Sequence, residues 1–121
     1  MLNYIKENNI PKYNEYKESY QLTENQFQEL EGSIMMWLPT KLKRVNYRAT
    51  SSYHLKHVFE AYLGFYVSNY DFKIVMQKLG YKSKPWPGDD GKNLYYNISR
   101  KELNVIENIA QRRKWQRRYN K

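Results

Sequence analysis

The chain contains no cysteine. That excludes a disulfide framework and any thiolate metal site, and it favours an intracellular home. No apolar run approaches the ~20 residues of a membrane span, and the start, Met1-Leu-Asn-Tyr-Ile-Lys6-Glu7, lacks a signal-peptide core. A cytoplasmic protein without a membrane partner is expected. The signatures of catalysis are also missing: there is no phosphate-cradling P-loop, no nucleophile elbow and no thiol nucleophile. His54-x-x-His57 lacks a third ligand at suitable spacing. Asp89-Asp90 sit in a Gly-flanked turn that supplies too few carboxylates for a two-metal nuclease. The chain alone therefore reads as a non-enzyme, with no cofactor, no metal and no small-molecule substrate.

What is present is ring surface and positive charge. At 121 residues the chain suits one domain with a single modest core, and 13 tyrosines argue against general disorder. Alanine is scarce while Asn, Lys, Tyr and Ile abound, a bias that an AT-rich genome produces without any function. The net charge of +9 is unevenly spread, however. Residues 1–31 hold three lysines against six glutamates, and residues 32–121 carry +12. Codon bias does not segregate charge in this way, so a polyanionic partner, nucleic acid above all, is expected.

The organising stretch runs from Ser51 to Gly80. Tyr53, Leu55, Val58, Phe59, Tyr62 and Leu63 recur at helical spacing, with Ser51 or Ser52 as cap and Gly64 as the left-handed stop. A short strand at Phe65-Tyr66-Val67 is expected next, then a helix from about Asn69 capped by Ser68 or Asn69. Its inward residues are Phe72, Val75, Met76 and Leu79, and Gly80 closes it. Ahead of this unit, residues 1–22 read as a Tyr-rich arm in which Tyr13, Tyr16 and Tyr20 fall at helical intervals. They either lie on the domain or dock a partner protein. Thr23-Glu-Asn-Gln26 is a capping box. It opens a helix with Phe27, Leu30, Ile34, Trp37 and Leu38 on one stripe, widened by Met35 and Met36 and stopped by Pro39. That stripe is core, or its Met-Trp edge meets a partner.

Positions 41–56 then carry five positive charges and no acid: Lys41, Lys43, Arg44, Arg48 and Lys56. Such a segment can follow a phosphate backbone with Tyr47 stacking on a base, or it is a solvated basic linker. Tyr81–Lys84 and Asn93–Ile98 read as two strands around the turn cluster Pro85–Gly91, a hairpin. Lys82, Lys84 and Lys92 would decorate it. Trp86 would lie near the tip, clipped between prolines or stacked on nucleic acid. Ser99-Arg-Lys-Glu102 caps a last helix with Leu103, Ile106, Ile109 and Ala110 inward. The final residues 111–121 form an Arg-rich tail with Arg112, Arg113, Lys114, Trp115, Arg117 and Arg118, suited to phosphate and to stacking. The expected fold is α+β: a small helix-rich domain over 23–110 with one β-hairpin, winged-helix-like in layout.

The string Ser52-Tyr53-x-Leu55-Lys56-His57-x-Phe59-Glu60, with Gly64-Phe-Tyr-Val-Ser-Asn69-x-x-Phe72-Lys73, Met76, Gly80-Tyr81 and Tyr95-Tyr96-Asn97-Ile98-Ser99, resembles a family of small proteins. These are carried on mobile elements of staphylococci and related Gram-positive bacteria. Within it the chain is similar to the cassette-chromosome middle proteins, encoded between an A-family DNA polymerase and a helicase. The resemblance covers roughly residues 37–99. It implies a non-catalytic subunit that binds the polymerase and lets it start primers without a pre-existing 3′ end. Joined to the residues, it places template, most simply single-stranded DNA, on Lys41, Lys43, Arg44 and the Arg112–Arg118 cluster, with Arg48, Lys56, His57, Lys73, Lys82 and Lys84 adding contacts. Tyr47, Trp86 or Trp115 would stack on unpaired bases. The polymerase would be gripped by Tyr13, Tyr16 and Tyr20 or by the Trp37 face. A rival class is a sequence-specific regulator, whose helix 69–79 would enter the major groove with Tyr70, Lys73 and Gln77 reading bases. A third is an anti-defence protein acting by direct protein contact.

Overall fold

The computed structural model describes residues 1–119. Five helices and one hairpin follow in order: α1 (Leu2–Glu7), α2 (Glu24–Trp37), α3 (Ser52–Leu63), α4 (Asn69–Lys78), β1 (Ser83–Pro85), β2 (Leu94–Tyr96) and α5 (Arg100–Tyr119). The architecture is thus α+β and helix-rich, with a two-stranded antiparallel hairpin in the register Ser83↔Tyr96, Lys84↔Tyr95, Pro85↔Leu94. No described helix is long and apolar enough to cross a membrane.

The helix signals act largely as their chemistry requires. Thr23 and Gln26 form the complete capping box of α2. Ser68 accepts from the Asp71 N–H at the start of α4, and Gly64 takes φ +89° after α3, where a Cβ would be strained. Two caps differ from expectation. Ser51 occupies the N-cap of α3 without a side-chain bond, and Ser52 Oγ accepts from Leu94 N–H at 3.1 Å. Ser99 Oγ receives the Glu102 N–H. The Glu102 carboxylate meanwhile reaches across to Thr40, taking its N–H at 3.1 Å and its hydroxyl at 2.5 Å. That half-box anchors α5 to the segment after α2.

The core is one cluster in which Phe27, Leu30, Ile34, Leu55, Phe59, Phe72, Met76, Leu103 and Ile106 are fully or almost fully buried. Phe72 is its centre, with Phe59 at 5.9 Å and Tyr96 at 6.3 Å between ring centroids. Several expectations are corrected. Phe65–Val67 is not a strand: a left-handed Gly64 and the Ser68 cap leave three residues between helices, and no described strand pairs with them. Tyr13, Tyr16 and Tyr20 are not helical; the N-terminal helix is Leu2–Glu7, and residues 11–22 are irregular apart from one Tyr13↔Ser19 bridge. Met35 and Met36 point outward, 54% and 65% exposed, and Tyr53 is exposed as well.

The N-terminal segment is strapped over α4. Its Gln21 and Leu22 N–H groups donate to the buried Asp71 carboxylate, and Tyr70 donates its hydroxyl to the Pro11 carbonyl. Burial pushes the Asp71 carboxyl up to about 6, against the pull of those donors, Ser68 and the Lys12 charge.

Candidate nucleic-acid interface

Residues 40–49 run beside the hairpin and are fastened to it by buried Asn97. Its side chain donates to Leu42 O at 2.7 Å and accepts from Lys82 N–H at 2.8 Å, while Leu42 N–H reaches Asn97 O. Asn46 N–H adds a bond to Tyr96 O at 2.9 Å. These bonds set the basic segment against β1 and open a groove of about 700 Å³ between them. Lys43, Arg44, Tyr47, Lys82 and Lys84 line it, with no acidic residue among them. Strand alternation puts Tyr95 and Lys84 on one hairpin face and Tyr96 on the other. Tyr95 therefore joins an aromatic group at the groove's end: Tyr47, Trp86 and Tyr95, with centroids 5.4–5.6 Å apart. Trp86 is half exposed and leans edge-on against Tyr47 and tilted against Tyr95.

The other expected contacts divide into those that remain free and those the fold employs. Lys41 donates to Leu79 O at 2.6 Å and lies over the Tyr81 ring at 4.9 Å, neutralising the end of α4. Lys82 bonds Lys43 O across the groove at 2.9 Å. Lys73 is half-buried and donates to Lys92 O; burial holds its ammonium below the ordinary lysine range. Arg48 is exposed beside the groove. Lys56 is not available to a phosphate. Its side chain is 7% exposed and its Nζ bonds Glu60 Oε1 at 3.0 Å, under the Tyr66 ring at 4.7 Å. The sequence did carry the signal: Glu60 stands at i+4, and Lys56 falls on the stripe of Ser52, Leu55 and Phe59.

His57 is half exposed and bonds Glu60, whereas His54 bonds Glu107. Each histidine thus has its own carboxylate, and the described residues contain no group of three or more His, Asp or Glu that could hold a metal.

Helix α5 is about 30 Å long at 1.5 Å per residue. Its inward stripe, Leu103, Ile106 and Ala110, continues as Arg113 and Arg117. The Arg113 guanidinium lies 3.8 Å from the Tyr62 ring centroid, and both arginines donate to Tyr62 O at the C-terminal end of α3. Arg112, Lys114, Trp115 and Arg118 project outward, and Trp115 stacks on Tyr119 at 4.4 Å. Arg100 donates to Ala49 O, so the outer end of α5 lies roughly 20 Å along the axis from the groove's neighbourhood.

Among the expected partner contacts, Tyr13 is exposed, Tyr16 bonds Asp90 O at 3.0 Å, and Tyr20 lies under Lys12 at 4.2 Å. Trp37 is half-buried edge-on to Tyr62, so the exposed part of that edge is Met35 and Met36. Tyr95 was missed as a site residue because a Tyr-rich strand reads as core until the register says which face each ring takes.

No family model, curated protein or solved structure matches this chain.

Proposed function

We propose that the protein is a non-catalytic binder of single-stranded nucleic acid, acting as an accessory subunit of a mobile-element replication system. The observation that carries this reading is the groove, where four cations line one opening that ends in the Tyr47–Trp86–Tyr95 group. Cations hold the sugar-phosphate chain by counterion release, and exposed rings take unpaired bases whatever their identity. Outward Arg112, Lys114 and Arg118 supply a second, remote phosphate contact. The polymerase partner, of the A family, rests on the resemblance of residues 37–99, and the Met35–Met36 edge is the apolar face offered to it. In such a complex a basic subunit holding template and polymerase together would lower the entropic cost of starting a primer.

The second reading is a winged-helix regulator, with α4 as the reading helix and the hairpin as wing. Burial of α4 weighs against it. Tyr70 is 8% exposed and bonded to Pro11, and Lys73 is half-buried with one N–H on Lys92 O, so of the three expected base readers only Gln77 is both exposed and unbonded.

Anisotropy with a labelled oligothymidylate and a matched duplex tests the choice. Single-strand preference is expected, with Trp86→Ala costing about 1–3 kcal/mol of stacking. Preference for a defined duplex sequence, unaffected by Trp86→Ala, would overturn it.

A further inference from the structure

The hairpin separates two openings. On the side away from the basic groove, a cavity of about 510 Å³ lies between α4, the hairpin and the N-terminal strap, a volume within the range of small-ligand sites. Its walls include four tyrosines, Tyr16, Tyr70, Tyr81 and Tyr96, with Lys73 and Gln77 from α4. Three of the phenols are committed: Tyr16 donates to Asp90 O, Tyr70 to Pro11 O and Tyr81 to Leu38 O. The fourth is not. Tyr96 is 1% exposed and its hydroxyl has no hydrogen-bond partner among the described residues, a condition that a buried polar group rarely keeps without a reason. Ser83 lines both this cavity and the basic groove, so the two are separated by a single strand.

We infer that this cavity takes one nucleotide, its base among the tyrosines and its phosphate at Lys73. The inference deepens the nucleic-acid reading above and rests on it for the choice of ligand. Planar walls of phenol rings suit a base face. Gln77, exposed at the mouth, offers a donor and an acceptor to a base edge. Tyr96 keeps a buried hydroxyl donor unspent in the floor of this cavity, and among the described residues Lys73 carries the only positive charge in the lining, with one of its three N–H donors on Lys92 O. Glu15 in the same lining limits the site to modest phosphate charge, which favours a monophosphate or a strand phosphodiester over a triphosphate. The nucleotide comes either from free solution or from the end of a strand lying in the groove.

Calorimetry with the four deoxynucleoside monophosphates, and anisotropy with a short oligothymidylate, distinguish the sources on wild type and three variants. Gln77→Trp fills the mouth from an exposed helical position. Tyr96→Phe removes the hydroxyl but keeps the ring, so it tests the floor without threatening the fold. Lys84→Ala strikes the groove alone. We expect a monophosphate to bind and Gln77→Trp to weaken it about tenfold or more, as loss of a stacked base would, with Tyr96→Phe weakening it severalfold and Lys84→Ala leaving it unchanged. Sensitivity to Gln77→Trp confined to the oligonucleotide would support the site and assign it to a strand end. Monophosphate binding in a protein that holds no oligonucleotide would keep the cavity and sink the groove. If neither ligand responds to Gln77→Trp or Tyr96→Phe, the cavity proposal is overturned, and oligonucleotide binding lost in Lys84→Ala would leave the groove reading standing.

Discussion

Between Asn69 and Lys78, α4 buries seven of its ten residues; between Gln111 and Tyr119, every residue of α5 is exposed. Both segments mix lysine or arginine with aromatic rings, and by composition either could be a nucleic-acid face. Placement separates them. Helix α4 is packed by α3 on one side and by the N-terminal strap on another, and its half-buried Lys73 commits one of three N–H donors to Lys92 O. The outer half of α5 has run past the core, and beyond Ala110 only Arg113 and Arg117 still turn inward, to the end of α3. A count of positive residues therefore overstates the binding surface. Apart from Lys73 at the tyrosine-lined cavity, the cations left for a partner are those at the groove and on the outer side of α5.

The largest expected effect lies on the buried side of this contrast. Phe72→Ala removes the ring between Phe59 and Tyr96 and should cost about 3–5 kcal/mol in urea unfolding. A loss below about 1 kcal/mol would mean that α4 is not the centre of the core. Next comes the Lys56–Glu60 pair, whose side chains are 7% and 19% exposed. Glu60→Ala strands a buried ammonium and should destabilise by about 3 kcal/mol, whereas Lys56→Met, which removes the charge and keeps the packing, should cost far less. Equal costs would show that Lys56 reaches solvent and belongs with the free cations after all.

A smaller effect depends on pH. The Asp71 carboxyl titrates near 3.8 when unfolded and near 6 when folded, so between those values the folded state binds more protons. Its contribution is therefore fully favourable below about pH 3.8 and is lost as pH rises through about 6, by at most about 3 kcal/mol. Asp71→Asn cannot titrate. The stability of wild type relative to this variant, by urea unfolding at several pH values, should decline between pH about 4 and about 7. A difference that stays flat would mean the strap does not bury this carboxylate.

Much of the fold was legible because it is local. The Thr23–Gln26 box, the Ser68 cap and the left-handed Gly64 each follow from a side chain and the backbone within a few residues of it. The hairpin, too, was marked by a Tyr-rich strand and a Pro-Gly turn. What failed was long-range. Met35 and Met36 continue an apolar stripe in the sequence, but among the described residues no element covers that side of α2. Tyr13, Tyr16 and Tyr20 have helical spacing, yet after Pro11 the chain folds back in a turn closed by the Tyr13↔Ser19 bridge, and Gln21 and Leu22 anchor its end on Asp71. At the site, Lys43, Arg44 and Tyr47 were visible as an acid-free basic run. Tyr95 and the opposition of Lys82 and Lys84 needed the hairpin register and the Asn97 bonds, which no spacing rule encodes. Lys56 shows the reverse case, since its partner four residues on was in plain view.

In the proposed reading the groove between residues 43–47 and β1 holds a sugar-phosphate chain. Its most direct test is the salt dependence of oligothymidylate binding for wild type and for the triple variant Lys43→Ala, Arg44→Ala, Lys84→Ala, with Arg112→Ala, Arg118→Ala as the comparison. For the groove variant the slope of log K against log salt should shrink by about 2, since each phosphate that a cation neutralises on a single strand adds about 0.7 to it. The α5 variant should lose less affinity and less slope. A groove variant that binds with the wild-type affinity and slope would contradict the account.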